Sequence, residues 1–586
     1  MKILQNTKRW LGLGVMLASL ALTQTPAQAQ VRNRGAIWMW TNKYVYQPGE
    51  QATVRWSAIA NDDRSNYTVF IYLQNNQTGA KTYYPNGSAA VTDYAGRTAD
   101  QGYYVVNPIS ISKLALFGPG GFYPALNVPS ALGMHSVVIE FRDATATRIL
   151  KKTVAKFSVV DQIVEISGNI TSDTTFVNTK SYRLNGIVFV KDNAVLTIQP
   201  GTIITGAPGT QPSSALIVSQ TGRIEAAGTK SRPIIMTSDR PFGQRARGDW
   251  GGLVLLGKAP VNVGANANNS GNTAGTFFIE GLQATPESVY GGTDPAHNCG
   301  TLAYVRAEYA GSILSPNNEL NSFTWGGCGT GTTAHHLQAI YGLDDAFEWF
   351  GGTMNAKYLV GGLNADDFLD FQLGYTGKIQ YGVFYQSSAA RGNRGIEGDN
   401  SEFDNGASPS SNPTISNVTI IGSGQPGFDE ANAPGVFLRR GARATINNAL
   451  VMNFFSSGLE FTDANTQTQM NNGQIKMNGF LMFNNNNGGA PTVEGQIVNS
   501  VTRGYANGTN GGGTSANFVI ADPGLARPGD LSDPDFRPQT GANALRTQWV
   551  APPDDGFFDQ GATFVGGMGD ENWMEEWTSF IQETDF

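Results

Sequence analysis

The sequence predicts an all-β chain: a right-handed parallel β-helix preceded by a small β-sandwich domain. Two observations lead there. Short apolar strands broken by Gly turns recur from about residue 162 onward at separations of roughly 21 to 37 residues, the range in which self-similarity marks a solenoid. Gly supplies 72 of the 586 residues and charged residues only 15%, against usual shares of about 7% and about a quarter. Such a charge-poor, turn-rich composition suits stacked strands.

The first element is a leader. Lys2, Lys8 and Arg9 precede or abut an apolar run over residues 10–22, and Ala27-Gln28-Ala29 gives the small-x-small pattern of a cleavage site. Residues 1–29 therefore read as a signal peptide, with the mature chain starting near Gln30 or Val31 and no Cys nearby to take a lipid. No later stretch approaches the roughly 20 apolar residues of a membrane helix, so no integral membrane segment is expected after cleavage. The expected location is secreted, extracellular, periplasmic or on the outer surface.

Residues 31–161 alternate in short runs, Thr53-Val54-Arg55-Trp56, then residues 67–73, then residues 137–141. That spacing predicts an antiparallel sandwich. The stretch Tyr46-Gln47-Pro48-Gly49-Glu50 before residues 52–56 resembles the opening of immunoglobulin-like modules of bacterial surface proteins.

From residue 162 to about 530 the repeating unit takes over, with strand cores such as residues 196–198, 216–218, 304–309, 336–341, 358–360, 379–383, 415–421 and 446–451. One coil cannot bury its own apolar face, so coils must stack, and inserted corner loops account for the uneven separations. Residues 531–586 are expected to cap the C-terminal end. The stretches Gly248-Asp249-Trp250-Gly251-Gly252, Asp344-Asp345-Ala346-Phe347-Glu348-Trp349-Phe350-Gly351-Gly352 and the closing Trp573-Met574-Glu575-Glu576-Trp577 resemble a family of secreted bacterial β-helix proteins. That resemblance covers about residues 163–586 and implies an architecture and an exported location, without an established activity.

Cys299 and Cys328, the only cysteines, lie in similar tetrapeptides, Asn298-Cys299-Gly300-Thr301 and Gly327-Cys328-Gly329-Thr330. An exported chain permits a disulfide between them; buried free thiols are the alternative.

The candidate chemistry lies in the central coils. Acidic residues, scarce overall, crowd there as Asp344, Asp345 and Glu348, then Asp366, Asp367 and Asp370, then Glu397, Asp399, Glu402 and Asp404. With one coil taken as the 21 residues from Asp345 to Asp366, these carboxylates stack, and a cation between them would relieve the repulsion. Ca²⁺, with its six to eight oxygen ligands, suits an exported protein. The candidate metal ligands are Asp345, Asp366, Asp367, Asp370, Glu397 and Asp399; solvated turn carboxylates are the plainer alternative. Arg394, beside Glu397, resembles in placement alone the basic residue that parallel β-helix polysaccharide lyases set beside bound Ca²⁺, and that resemblance implies a candidate base; a salt-bridge partner is the simpler reading. Trp349, Tyr375 and Tyr385 are candidates for stacking on sugar rings, or for core packing.

The net charge of −8 argues against a nucleic-acid partner. The four His have no zinc spacing, and no nucleophile elbow, phosphate loop or dinucleotide fingerprint stands in a suitable setting. Two readings remain. One is a non-catalytic secreted or cell-surface protein that binds a polysaccharide or another surface component. The other is a Ca²⁺-dependent polysaccharide lyase or glycoside hydrolase acting in a groove of the β-helix.

Overall fold

The computed structural model describes residues 37–580, apart from 59–66, 84–102, 107–120, 143–148 and the short stretches 210–212, 316–317, 389–390, 428–429, 510–516, 532 and 547–548. The expected signal peptide lies outside the described residues. Two small sheets come first. One has three antiparallel strands, and the other, six-stranded, is antiparallel except where Val45–Tyr46 runs parallel to Ile149–Val159. These sheets dock on the main body of the chain through a buried knot. Tyr44 packs with Met134, Ile203 and Ile235, and its hydroxyl donates to Glu308 at 3.1 Å and accepts from Arg306 Nη2 at 2.6 Å.

The main body is the expected parallel β-helix, built from a sixteen-stranded and a nine-stranded sheet. The first coils have three strands each, for example Ala215–Val218, Arg223–Ala227 and Ile234–Ser238. Two of these faces then merge. The strand Gly300–Glu308 pairs with Arg223–Ala227 through its first half and with Ile234–Ser238 through its second. The bend falls at Tyr304, with φ 50°, so one left-handed residue replaces a corner loop. His336, Tyr358, Tyr381, Asn417 and Asn448 repeat that positive φ in the following coils. Asn tolerates the left-handed region best, whereas the Tyr and His positions need their rings supported.

The C-terminal residues supply that support. Residues 549–580 run back along the outside of the sixteen-stranded sheet, with Asn448 bonding the Val550 backbone through both amide atoms at 2.8 Å. Asn417 Nδ2 donates to Phe564 O at 2.9 Å, and Gln338 binds both backbone groups of Ser579. Trp577, fully buried, meets the Tyr304 and His336 rings edge-on. The closing Trp-rich motif is thus the anchor of a strap.

The interior is apolar and, in its centre, aromatic. Phe323 stacks on Phe347 at 5.3 Å and Trp325 on Trp349 at 5.0 Å, one coil above the other. Trp250, fully buried, donates its indole N–H to Glu308 O, and a Cβ on Gly252 would lie 2.0 Å from Asn321 O. The Gly-Asp-Trp-Gly-Gly stretch is therefore a packing motif. Cys299 and Cys328 form a disulfide with Cα atoms 5.9 Å apart.

Candidate functional site

Alternation along a strand sends successive side chains to opposite faces of the sheet. In the nine-stranded sheet Phe347, Trp349, Leu369, Phe371 and Ile396 point inward, so Glu348, Asp370 and Glu397 point outward, and the register puts these three directly above one another. Neighbouring strands lie about 4.8 Å apart. The sequence therefore builds a carboxylate ladder on the outside of the coils.

The coil length corrects the stacking read from the sequence. Leu337 pairs with Leu359 and Glu348 with Asp370, 22 residues on. Asp345 consequently sits beside Asp367, and Asp344 is one coil from Asp366. A second ladder runs alongside, in which the Asp345 N–H donates to Asn321 Oδ1 at 3.1 Å, the Asp367 N–H to Asp345 Oδ1 at 2.8 Å and the Arg394 N–H to Asp367 Oδ1. One oxygen of Asp345 and one of Asp367 thus close turns. The turn reading of these residues and the ligand reading both have a geometric basis.

Two triads have carboxylate oxygens within 4.8 Å of one another: Asp344, Asp345 and Asp366; and Asp345, Glu348 and Asp370. Asp345 belongs to both. Burial pushes Asp344, Asp345, Glu348 and Asp370 well above the usual carboxylate range, and neighbouring acids add to it. Burial and Asp366 likewise raise Asp367 to about 7. Oδ1 of Asp370 is buried with no hydrogen-bond partner. An all-oxygen donor set of this charge fits a hard divalent cation such as Ca²⁺.

Glu397 and Asp399 belong to a different arrangement. Asp399 is paired with Arg439 Nε and Arg440 Nη1, each at 2.8 Å, and Glu397 with Arg439 and with Arg394. Both lie outside the two triads, their charge already met by guanidinium groups. Arg394 is buried and bonded to Glu397 at 2.7 Å and to Glu430, with Asp367 at 3.6 Å. Burial alone would lower its pKa, but Asp367, Glu397 and Glu430 outweigh that and hold the guanidinium protonated. It acts as a salt-bridge hub.

The three aromatic candidates are corrected outright. Trp349, Tyr375 and Tyr385 are each 0% exposed. Trp349 and Tyr375 stack on each other in the interior, and Tyr385 lies beneath Phe536 and Phe580 under the strap. None offers a face to a sugar.

The ladder leads instead to a pocket. Between Ile235 and its partner Arg306 the chain takes 71 residues for one coil, and the excess forms an excursion that packs Val261, Val263, Ile279 and Tyr290 on the outside of the nine-stranded sheet. Where it spans the ladder it leaves a cavity of about 490 Å³, bounded by Phe277, Glu280, Asp370, Asp399, Glu402 and Phe403 among others. Phe277 meets Phe403 edge-on at 5.2 Å and Tyr290 at 6.4 Å. Glu280 hydrogen-bonds Glu348, and burial, then Glu319, push it up to about 8. Glu280, Phe277, Arg439 and Arg440 were missed by sequence reasoning; the long gap before Cys299 was the only signal that an excursion reached this face.

Stacked parallel coils in two long sheets define the class as a parallel β-helix. Residues 168–520, more than half of the chain, match the family described as the pectate-lyase-like β-helix domain, and the chain belongs to that family. No curated protein and no solved structure matches the chain. The family fits a polysaccharide-related protein, and a β-helix with a disulfide is typical of extracellular proteins. Among the described residues no helix is long and apolar enough to cross a membrane.

Proposed function

We propose that this is an exported, non-catalytic β-helix protein that binds polysaccharide on the outer face of its nine-stranded sheet, with Ca²⁺ held by Asp344, Asp345, Asp366, Glu348 and Asp370. The observation that carries the reading is the continuity of the two carboxylate triads with the 490 Å³ pocket through Asp370. Bound Ca²⁺ would supply the positive charge that lets these carboxylates ionise and would accept further oxygen ligands from sugar. Asp345 and Asp367 hold the turns in register, and the excursion keeps solvent from the ladder. Arg394, engaged by three carboxylates, supports the absence of a lyase base.

A hydrolytic reading rests on a separate observation. Glu280, pushed up to about 8, holds its proton at neutral pH and shares the pocket with Asp399, which is ion-paired to two arginines. Two carboxyl groups facing one cavity in different surroundings are the pair that glycoside hydrolysis needs.

One assay separates the readings. Insoluble polysaccharides are incubated with the protein with and without Ca²⁺, and both retention of protein and release of reducing ends or unsaturated sugars are followed. Ca²⁺-dependent retention without released sugar is expected. Reducing ends lost on Glu280→Gln would establish the hydrolase, unsaturated products a lyase, and absence of retention on every polysaccharide would overturn the binding reading.

A further inference from the structure

The charged groups that line the pocket under the excursion are already engaged. Asp399 is held by Arg439 and Arg440, each at 2.8 Å, and Glu402 lies 3.8 Å from Arg440. Glu280 is hydrogen-bonded to Glu348, and Asp370 belongs to a metal triad. No wall carboxylate or guanidinium is left over for a charged ligand. An ammonium or a carboxylate entering here would lose water and gain no counter-ion from the wall.

The floor of the pocket is graded instead. Outward side chains of the nine-stranded sheet run Phe350, Gln372, Asp399 and Arg439 across four successive strands, with Phe350 in register with Gln372 and Asp399 with Arg439. The Phe350 end is apolar. Phe350 lies 5.9 Å from Tyr290 and Tyr290 lies 6.4 Å from Phe277, while Phe277 and Leu282 of the excursion are only partly buried. The Asp399 end is polar and ion-paired. Between the two, Gln372 Nε2 donates to Glu348 Oε1 at 2.9 Å. That bond fixes the amide and leaves Gln372 Oε1 to accept from a ligand. The volume of about 490 Å³ lies within the roughly 300–1,000 Å³ of small-molecule sites.

An acetamido group on a sugar carries the complement of this floor in one unit: an apolar methyl, an N–H beside it, and ring hydroxyls beyond. We propose that the pocket recognises a 2-acetamido sugar, its acetyl methyl against the Phe350 and Phe277 rings, its N–H donating to Gln372 Oε1 and its hydroxyls meeting the Asp399 and Arg439 end. The inference rests on the polysaccharide reading and names the sugar class. A neutral sugar without the acetyl group fills the polar end alone. Removing the acetyl group leaves an ammonium, and oxidising C6 leaves a carboxylate; neither finds a partner in the wall.

The test is calorimetric titration of the full chain, with Ca²⁺ present, by β-1,4-linked tetramers of N-acetylglucosamine, glucose and glucosamine, and by a galacturonate tetramer. The acetylated tetramer is expected to bind about tenfold more tightly than the glucose tetramer, the scale of one buried methyl and one hydrogen bond. The two charged tetramers should bind no more tightly than glucose. Phe277→Ala and Gln372→Met should each shrink the tenfold ratio several-fold, and Phe277→Tyr, which keeps a ring in place, should retain it. Persistence of the Ca²⁺-dependent rise in melting temperature in Phe277→Ala would show that its loss is not one of fold. A ratio near one in the natural chain, or tightest binding by either charged tetramer, overturns the acetamido assignment and leaves polysaccharide binding standing. A tenfold ratio that survives both variants overturns the placement of the acetyl group in this pocket. Failure of every tetramer overturns this assignment and polysaccharide binding together.

Discussion

The two outer faces of the solenoid are both covered by chain that leaves the coils, yet they are covered in opposite ways. On the sixteen-stranded sheet, Val360, Val383, Leu450 and Leu481 form an apolar surface that meets Val565, Met568, Met574 and Trp577 of the strap. Asn448 and Gln338 tie the two together, each bonding strap backbone through both donor and acceptor. On the nine-stranded sheet, the excursion closes over Glu348, Asp370 and their neighbours, whose charge it does not match, and leaves a cavity. A seal is chiefly apolar contact held by such ties, even with the Tyr385 hydroxyl beneath it left without a hydrogen-bond partner. A cover that gathers like charges around an open volume is costly unless something enters, and this difference assigns structure to one face and binding to the other.

The comparison breaks most readily at the strap. Trp577→Ala removes a fully buried indole from the seam with Tyr304 and His336 and should cost about 3–5 kcal/mol. Chemical denaturation would check it, and ligand binding at the other face should persist in the folded fraction. A loss below about 1 kcal/mol would mean that the strap is not a seal. Next come the asparagine ties: Asn417→Ala loses the bond to Phe564 and places Ala at φ 57°, for about 1–3 kcal/mol in total. Asn417→Gly loses the bond alone and should cost less, by melts of the two variants side by side.

The acidic face should behave in the opposite sense. Asp370→Asn removes a carboxylate that its surroundings push strongly toward the protonated form, so the metal-free protein should gain about 1–2 kcal/mol at neutral pH while losing its response to Ca²⁺. Destabilisation of the metal-free protein would show that this charge is already compensated.

The pH dependence sharpens the same point. Glu280 and Asp367 are raised from 4.5 to about 8 and from 3.8 to about 7, so the folded chain keeps protons that the unfolded chain gives up near pH 4. Their contribution is complete below the unfolded values and is lost as pH rises through 7 to 8. Metal-free protein should therefore lose stability from pH 5 to pH 8, and Ca²⁺ should flatten that slope. Thermal melts across this window with and without chelator would show a rise instead if the carboxylates were ion-paired.

Much of this was legible in the sequence, for physical reasons. Core strands must alternate and repeat whatever loops intervene, so the parallel coils and the β-helix emerged from periodicity. The matching Cys tetrapeptides pointed to the bond at Cys299 and Cys328, and the crowd of acids marked the face that carries both triads. Trp349, Tyr375 and Tyr385 could not be assigned to inside or outside, because a coil interior and a sugar platform select the same rings. The one-residue error that set Asp345 over Asp366 arose because corner residues are not periodic, so register had to come from the paired strands. Glu280 and Phe277 lie about 68 residues before Asp345 and Glu348 in sequence and meet the ladder only because the excursion folds back on it. No local pattern encodes that return.

The central claim is that the outward acidic ladder holds a divalent cation that the strap-covered face has no use for. Its most direct test is metal analysis of the purified protein joined to melting with Ca²⁺ or chelator, for the natural chain and for Asp366→Asn/Asp370→Asn. The account predicts bound Ca²⁺, a gain of about 2.7 kcal/mol when free ion is 100-fold above its dissociation constant, and loss of both in the double variant. No bound metal, with melting curves that superimpose in Ca²⁺ and chelator, would contradict it.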